Sequence, residues 1–388
     1  MTADVEKPLD VPILKEPKDS KKLYKDTSKD DKNVKDRLPA AGDAIKTDNN
    51  RQFRLISILG EGGYGTVFEC QPVDSKKKYA CKAEKWSKTM LKIEISVLKA
   101  ANAKHCKHFC DLLDVGRITD QFMFIVTTLL DRDINKLRNE QPDRHFSLGT
   151  AARVGMQSCT AIEELHSLGF LSRDIKAGNF GVGFLSRDIK AGNFGVGRRE
   201  EGTQRLIFMF DFGLSRKYID KNKNLLPPRK DIGWRGTTRY GSLQAHRRQE
   251  LGRKDDMESW LYMLIEITKG SLPWRMVTDR QKVFECKLAC RGDFRPALLG
   301  ALPKQFDELL NMVDKMVFES EPHYADFVKL LAQVCEENNV DMNQAYDWEC
   351  EPPASSVHTS ATKSVDNSAS EEIKANNVER PGNRDVNA

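Results

Sequence analysis

Between residues 51 and 130 the apolar positions come in short runs. RQFRLISIL, TVFEC and KKYACKAE mix apolar and polar residues at close to strand period, and FMFIVTTLL is almost continuously apolar. Runs of this length, rich in β-branched and aromatic residues, predict strands. One helical stretch interrupts them, from about Ser87 to Ala103. Beyond Leu130 the period changes. Residues 147–167, 255–268, 303–318 and 322–337 carry longer helical patterns, several opening on a capping Ser, Asp or Pro, and the first closes at Gly169. The pattern predicts an α+β chain with a small β-rich lobe over 51–130 and a larger helical lobe over 131–345.

Outside that span the pattern fades. Residues 1–48 are rich in Lys and Asp with almost no aromatics, and residues 352–388 repeat that signature with Ser and Asn. Neither can bury enough apolar surface to offset the entropy of ordering, so both read as disordered tails. The roughly 300 residues between them, in a chain that is 39% hydrophobic, suffice for a real core. No apolar run approaches membrane-spanning length and no secretory or lipidation signature is evident, so the expected setting is intracellular, in cytoplasm or nucleus, away from membranes. Nine scattered cysteines then read as reduced thiols. In KHCKHFC, the residues His105, Cys106, His108 and Cys110 crowd into one short stretch, too cramped for the paired half-sites of zinc; an ordinary loop entering a strand fits better. No oligomerisation signal appears, which makes a monomer the default.

Candidate chemistry begins at LGEGGYGTV after the first strand, with Gly60, Gly62, Gly63 and Gly65 followed by Val67. Glycine here lets backbone N–H groups pass close over a phosphate chain, though glycine-rich hairpins are common without one. Two strands on, YACK places Lys82 mid-strand beside small Ala80. In the next helix Glu94 stands three residues after Leu91 and four before Leu98, on the buried stripe. An inward carboxylate needs a partner, and Lys82 is the natural one, either as a structural pair or as an anchor for nucleotide phosphates. Downstream, SRDIKAGNF supplies Asp174, Lys176 and Asn179, and LIFMFDFG puts Asp211 after an apolar strand. Asp174 to accept a hydroxyl proton, Lys176 to neutralise a transferring phosphoryl, and Asn179 with Asp211 to ligate magnesium (Mg2+) make a phosphoryl-transfer set that implies ATP.

These motifs in this order resemble the eukaryotic protein kinases over roughly residues 51–345. DRDINKLR, NFGVG, PPRKDIGWRGTTRYGSLQAH, GRKDDMESWLYML and LPWR are similar to the casein kinase 1 group, most closely its tau-tubulin kinase branch, and GSLQAH stands where other kinases carry APE. The resemblance implies a two-lobed kinase fold and serine/threonine specificity. It also implies Thr127 as gatekeeper, Thr128 to Leu130, with Leu129 between them, as the hinge that meets adenine, and Asp256 as the brace of the catalytic loop. Thr237 would line the substrate side. From Arg216 to Lys254 there are twelve Lys or Arg against Asp220, Asp231 and Glu250. Arg216, Lys217, Arg229, Lys230 and Arg235 would then border the peptide groove and favour acidic or phosphorylated protein substrates. No base-stacking aromatic motif accompanies the charge, so nucleic acid is not the expected partner.

Two departures complicate the match. Ser172 or Ser186 stands where the family has a histidine, and FLSRDIKAGNFGVG occurs twice in tandem, at 170–183 and 184–197. One nucleotide offers one place for a catalytic aspartate, so one copy must be looped out. The first copy directly follows the helix ending at Gly169. On that ground Asp174, Lys176 and Asn179 are the expected working set, with Asp188 and Lys190 the less favoured one. Asn179 to Gly183 would be the hairpin strand, and residues 184 to about 205 a surface loop. The rival reading is a pseudokinase scaffold, disabled by Ser172 and the insertion.

Overall fold

The computed structural model describes residues 35–173, 193–229 and 238–350. Its N-terminal lobe is an antiparallel sheet of six strands in the order β1-β2-β3-β4-β6-β5, with one helix. The elements are β1 (Ala44–Lys46), β2 (Gln52–Glu61), β3 (Gly65–Pro72), β4 (Tyr79–Lys85), α1 (Leu91–Ala103), β5 (Leu112–Ile118) and β6 (Phe122–Thr128). The period-two pattern decides the faces. Phe53, Leu55, Phe68, Cys70, Cys81, Ala83, Phe124 and Val126 point to one side and form a core of their own. Residues between them on β4, Lys82 above all, face the other way.

The folded part begins earlier in the chain than the sequence suggests. Residues 35–48 were expected to lie in it, yet β1 pairs with β2 and Ile45 is buried. Two polar contacts hold it: Thr47 Oγ1 donates to Asp114 (2.8 Å) and Asn49 Nδ2 to the same carboxylate (2.9 Å). One buried isoleucine and two side-chain hydrogen bonds suffice to dock a three-residue strand, a signal too sparse to stand out in a charged stretch.

The C-terminal lobe contains α2 (Ile134–Asn139), α3 (Leu148–Ser167), β7 (Phe170–Leu171), β8 (Phe194–Val196), β9 (Ile207–Met209), β10 (Arg216–Lys217), α4 (Leu243–His246), α5 (Arg253–Lys269), α6 (Arg280–Ala289), α7 (Arg295–Leu299), α8 (Gln305–Lys315) and α9 (Tyr324–Glu337). Its centre is α3 against α5 and α9. A Cβ at Gly155 would lie 2.8 Å from methyls of Leu264 and Leu331, so the glycine sets how closely these helices meet. Trp260 of α5 is fully buried and donates to Ser158 Oγ at 2.9 Å.

Packing continues a little past the expected end of the domain at 345. Asp347 caps α3, accepting from Ser147 N (2.6 Å), Ser147 Oγ (2.7 Å) and Thr150 Oγ1 (2.8 Å). The Arg153 guanidinium stacks over the Tyr346 ring at 4.0 Å and donates to Gln344 O at 2.6 Å. Asp347→Ala is expected to cost about 1–2 kcal/mol, the usual loss for a helix cap, read as a lower urea midpoint with an unchanged slope.

The repeat is shared between its two ends. Phe170 and Leu171 of the first copy form β7, paired with β10. The strand that pairs with β9 is Phe194–Val196 of the second copy, which corrects the expectation that Asn179 to Gly183 would fill that place and takes residues 194–196 out of the expected surface loop over 184–205, whose first part lies outside the described residues. Asn193, Phe194 and Val196 are buried. The reason lies in the connection from β8 to β9. Gly197 N bonds to Leu206 O, Thr203 N to Arg198 O, and Gly202 takes the left-handed conformation at φ 68°. Arg205 pairs with Glu349 at 2.9 Å and Trp348 donates to Gln204 O. This folded connection requires the NFGVG that directly precedes it. Val196 also exchanges backbone hydrogen bonds with Asp131 and Arg132 (both 3.0 Å), tying β8 to the segment after β6.

Candidate active site

Strand register assembles one wall of the site. Gly60 of β2 lies opposite Val67, Val67 opposite Lys82, and Lys82 opposite Ile125. Ala80 pairs with Thr127 one step along, so the small residue and the expected gatekeeper are neighbours. Gly62 N donates to Gly65 O (2.9 Å), closing the turn of the glycine-rich hairpin, whose tip residue Tyr64 is exposed. Gly65 is sterically required, since a Cβ there would lie 2.0 Å from Ala83 O. A Cβ at Gly62 or Gly63 would meet nothing within 4 Å; those glycines leave open space on the hairpin. Leu129, after β6, is buried.

Lys82 is where three elements converge. Its Nζ stands 2.7 Å from Glu94 Oε2 of α1, 3.0 Å from Asp211 Oδ1 beyond β9, and 3.5 Å from Glu84 Oε1 on its own strand. Burial opposes the charge on the lysine, but Asp211, Glu94 and Glu84 outweigh it and hold the ammonium well above its ordinary pKa. Glu94 carries the counterpart: burial pushes its carboxyl up to about 7, Lys82 opposes this, and the charges of Asp211 and Glu84 add to it. The sequence pattern pairs Lys82 with Glu94; Glu84, missing from that pairing, joins it through the spacing of two along β4.

Asp211 has φ 63° and begins a turn whose Phe212 is buried and stacks on Phe109, ring centroids 5.3 Å apart. Phe109 belongs to the KHCKHFC stretch, which serves here as a tie. His108 Nδ1 lies 2.7 Å from Ile207 O, Met209 N donates to His108 O at 2.7 Å, and Glu164 accepts from the amides of Lys107 and His108.

Asp256, at the start of α5, accepts from Ser172 N (2.7 Å) and Arg173 N (2.8 Å) and lies 2.9 Å from His166 Nε2. Asp256 thus holds the two residues that precede the expected catalytic loop. It grips backbone, so serine at 172 costs no anchor. The Arg173 guanidinium reaches Leu214 O from Nε at 2.8 Å, linking this loop to the turn after Asp211. Asp174, Lys176, Asn179, Asp188 and Lys190 lie outside the described residues. Asn193 lies inside them, and its carbonyl accepts from Phe210 N at 2.8 Å, one residue before Asp211. The sequence reading passed over this asparagine because it favoured the first copy throughout.

On the expected substrate side, Arg216 and Arg229 converge on Glu250, at 2.6 and 2.8 Å. Burial raises the Glu250 carboxyl, and hydrogen bonds from Arg229 and Arg216 more than offset this, holding it down at about 2. Lys217 lies over the Phe170 ring at 5.6 Å. Lys230, Arg235 and Thr237 fall outside the described residues.

The lysine, the helix glutamate, the aspartate after β9 and the braced loop all agree with the family-level comparison: the protein kinase domain matches residues 53–345. The chain belongs to the protein kinase family. Serine/threonine-protein kinase spe-6 of Caenorhabditis elegans is 31% identical over 320 residues, covering 80% of this chain and 79% of that protein. A putative casein kinase I of the same organism is 28% identical, covering 77% and 83%. Casein kinase I homolog 1 of Saccharomyces cerevisiae is 29% identical over 76% of this chain and 53% of its own, longer chain. The protein is a serine/threonine kinase of the casein kinase 1-like group. Kinases of this family use ATP and a divalent metal. The residues present fit both: Lys82 is a half-buried cation on the strand beside the glycine-rich hairpin, and Asp211 is a hard oxygen ligand of the kind such ions take. Among the described residues no helix is long and apolar enough to cross a membrane.

Proposed function

We propose that this kinase transfers the γ-phosphoryl group of ATP to serine or threonine hydroxyls of protein substrates, with Mg2+ as the metal. The observation that carries this is the meeting of Lys82, Glu94 and Asp211 within hydrogen-bond distance, which draws a strand, a helix and the turn after β9 into one arrangement. Gly60, Gly62, Gly63 and Gly65 cover the phosphates, Val67 and Ala80 border the base, Thr127 limits the pocket behind it, and Leu129 lies in the hinge. Lys82 holds the phosphates and Glu94 holds Lys82.

Asp211 and Asn193 would hold a bound metal, which would neutralise charge on the phosphates, with Asn193 in place of Asn179 because it adjoins β8 and Phe210. Asp174 is the base and Lys176 its cationic neighbour, because Asp174 directly follows the braced Arg173. The working site thus takes its base from the first copy and its asparagine from the second. A pseudokinase is the weaker reading, since the Asp256 brace bonds to main chain and is indifferent to Ser172. Acidic or phosphorylated substrates suit the basic stretch, with Arg216, Lys217, Arg229, Lys230 and Arg235 as the contributing cations and Thr237 beside them.

Radiolabel transfer to an acidic protein tests the base. Asp174→Asn is expected to reduce it at least ~10²-fold, in the range of a lost catalytic base, while Asp188→Asn stays near wild type. The reverse pattern would give the base to the second copy.

A further inference from the structure

Glu84 has no role in the chemistry above, yet it is 5% exposed and fully engaged. Two residues after Lys82 on β4, it shares that side chain's face of the strand. One oxygen, Oε1, lies 3.5 Å from Lys82 Nζ. The other, Oε2, accepts from Met90 N at 2.7 Å and from Thr89 Oγ1 at 3.1 Å. Those donors stand at the N-terminus of α1, whose own N-cap residue, Met90, supplies no side-chain cap. Thr89 Oγ1 in turn accepts from Leu91 N at 3.2 Å. The first turn of α1 is therefore capped from a neighbouring strand, by a carboxylate at the end of the helix where negative charge is favoured. The same corner touches the turn after Asp211, because a Cβ on Gly213 would lie 3.3 Å from Met90 Cβ.

We propose that Glu84 is a positioning residue that fixes α1 to the strand carrying Lys82, so that Glu94 is held within reach of the lysine by contacts internal to the lobe. The proposal rests on the phosphoryl-transfer reading only for its effect on turnover. Without Glu84 the helix start keeps only the Thr89 contact to Leu91 N, Lys82 loses one of three carboxylates, and the Lys82 to Glu94 pair depends on the remaining packing of α1. Glu84 also acts on Glu94 through charge. The ionisable groups facing Glu94 are Lys82 and Glu84 from β4, Asp211 after β9, and the Cys110 thiol ahead of β5, itself pushed up to about 12 by burial and so neutral.

Two variants separate the functions. Glu84→Gln keeps an oxygen acceptor for Met90 N and Thr89 and loses the charge; Glu84→Ala loses both. With ATP varied, Glu84→Ala is expected to lower kcat/KM about tenfold or more, and Glu84→Gln less than that. Hydrogen exchange gives a readout independent of turnover. In Glu84→Ala the amides of 90–95 are expected to exchange faster than in wild type while α3 and α5 are unchanged, with Glu84→Gln close to wild type. Unchanged exchange over 90–95 in Glu84→Ala would overturn the proposal. If wild-type activity proves independent of Lys82, the kinase reading fails, and the exchange result still decides the role of Glu84.

Discussion

Lys82→Met and Asp211→Asn are each expected to lower phosphoryl transfer by on the order of 10³-fold, the upper part of the range for losing one preorganised electrostatic group. Methionine keeps the apolar stem of Lys82 and removes the charge. Glu84, Glu94 and Asp211, all within 3.5 Å of the vanished ammonium, are then left facing one another. Glu94 is the group that yields, because burial already holds its pKa near 7 and the loss of Lys82 removes what opposed that rise. The fold should therefore survive with Glu94 protonated, and the phosphate anchor should not. Asp211→Asn keeps the shape of the side chain and halves its use: an amide can still meet Lys82 through oxygen but is a poor ligand for a hard dication. The measurement is radiolabel incorporation into an acidic protein beside a thermal melt of each variant. Undiminished incorporation in either variant would remove that residue from the site.

Asn193→Ala should cost about 10²-fold in activity, in the range for losing one electrostatic group at the reacting phosphates, and raise the Mg2+ concentration needed for half-maximal rate. Asn179→Ala should do neither. The contrast follows from where the second copy is anchored. Asn193 is followed by β8, which is bonded on one side to β9 and on the other to Asp131 and Arg132, and its own carbonyl receives Phe210 N. A residue whose own carbonyl is bonded to Phe210 N and whose following strand is bonded on both edges can present an amide oxygen in a fixed place. Steady-state rates across a magnesium titration, run on both variants and on the chain lacking Phe184 to Gly197, make the comparison. An inactive Asn179→Ala with a normal Asn193→Ala would return the ligand to the first copy. In the shortened chain one asparagine remains and activity should be at least that of the full chain.

Much of this architecture was legible from residue pattern alone, and the exceptions share a cause. β2, β3, β4 and β6 announce themselves because each puts two or more apolar side chains on one face. The long helices α3, α5, α8 and α9 do so through three-and-four spacing. β1 has one buried apolar residue, and β7 and β10 have two residues each, too few for any periodicity to form. In the site, Lys82, Glu94 and Asp211 were readable because each is an ionisable group at a position that should be buried. Glu84 carries the same signal, but a lysine already paired with one glutamate gave no reason to look for another. The assignment of the hairpin strand went to the wrong copy because two identical segments have identical local preferences. What separates them is tertiary: the bonds that Gly197, Thr203, Arg205 and Trp348 make around the connection to β9.

That sharing of the repeat between two anchored ends has a consequence for the gene. A deletion of fourteen residues starting anywhere from Phe170 to Phe184 yields one and the same product. The insertion thus has a length but no address: no residue of the sequence marks where it begins or ends, and whichever fourteen consecutive residues of the repeat are removed, the junction left behind is the same.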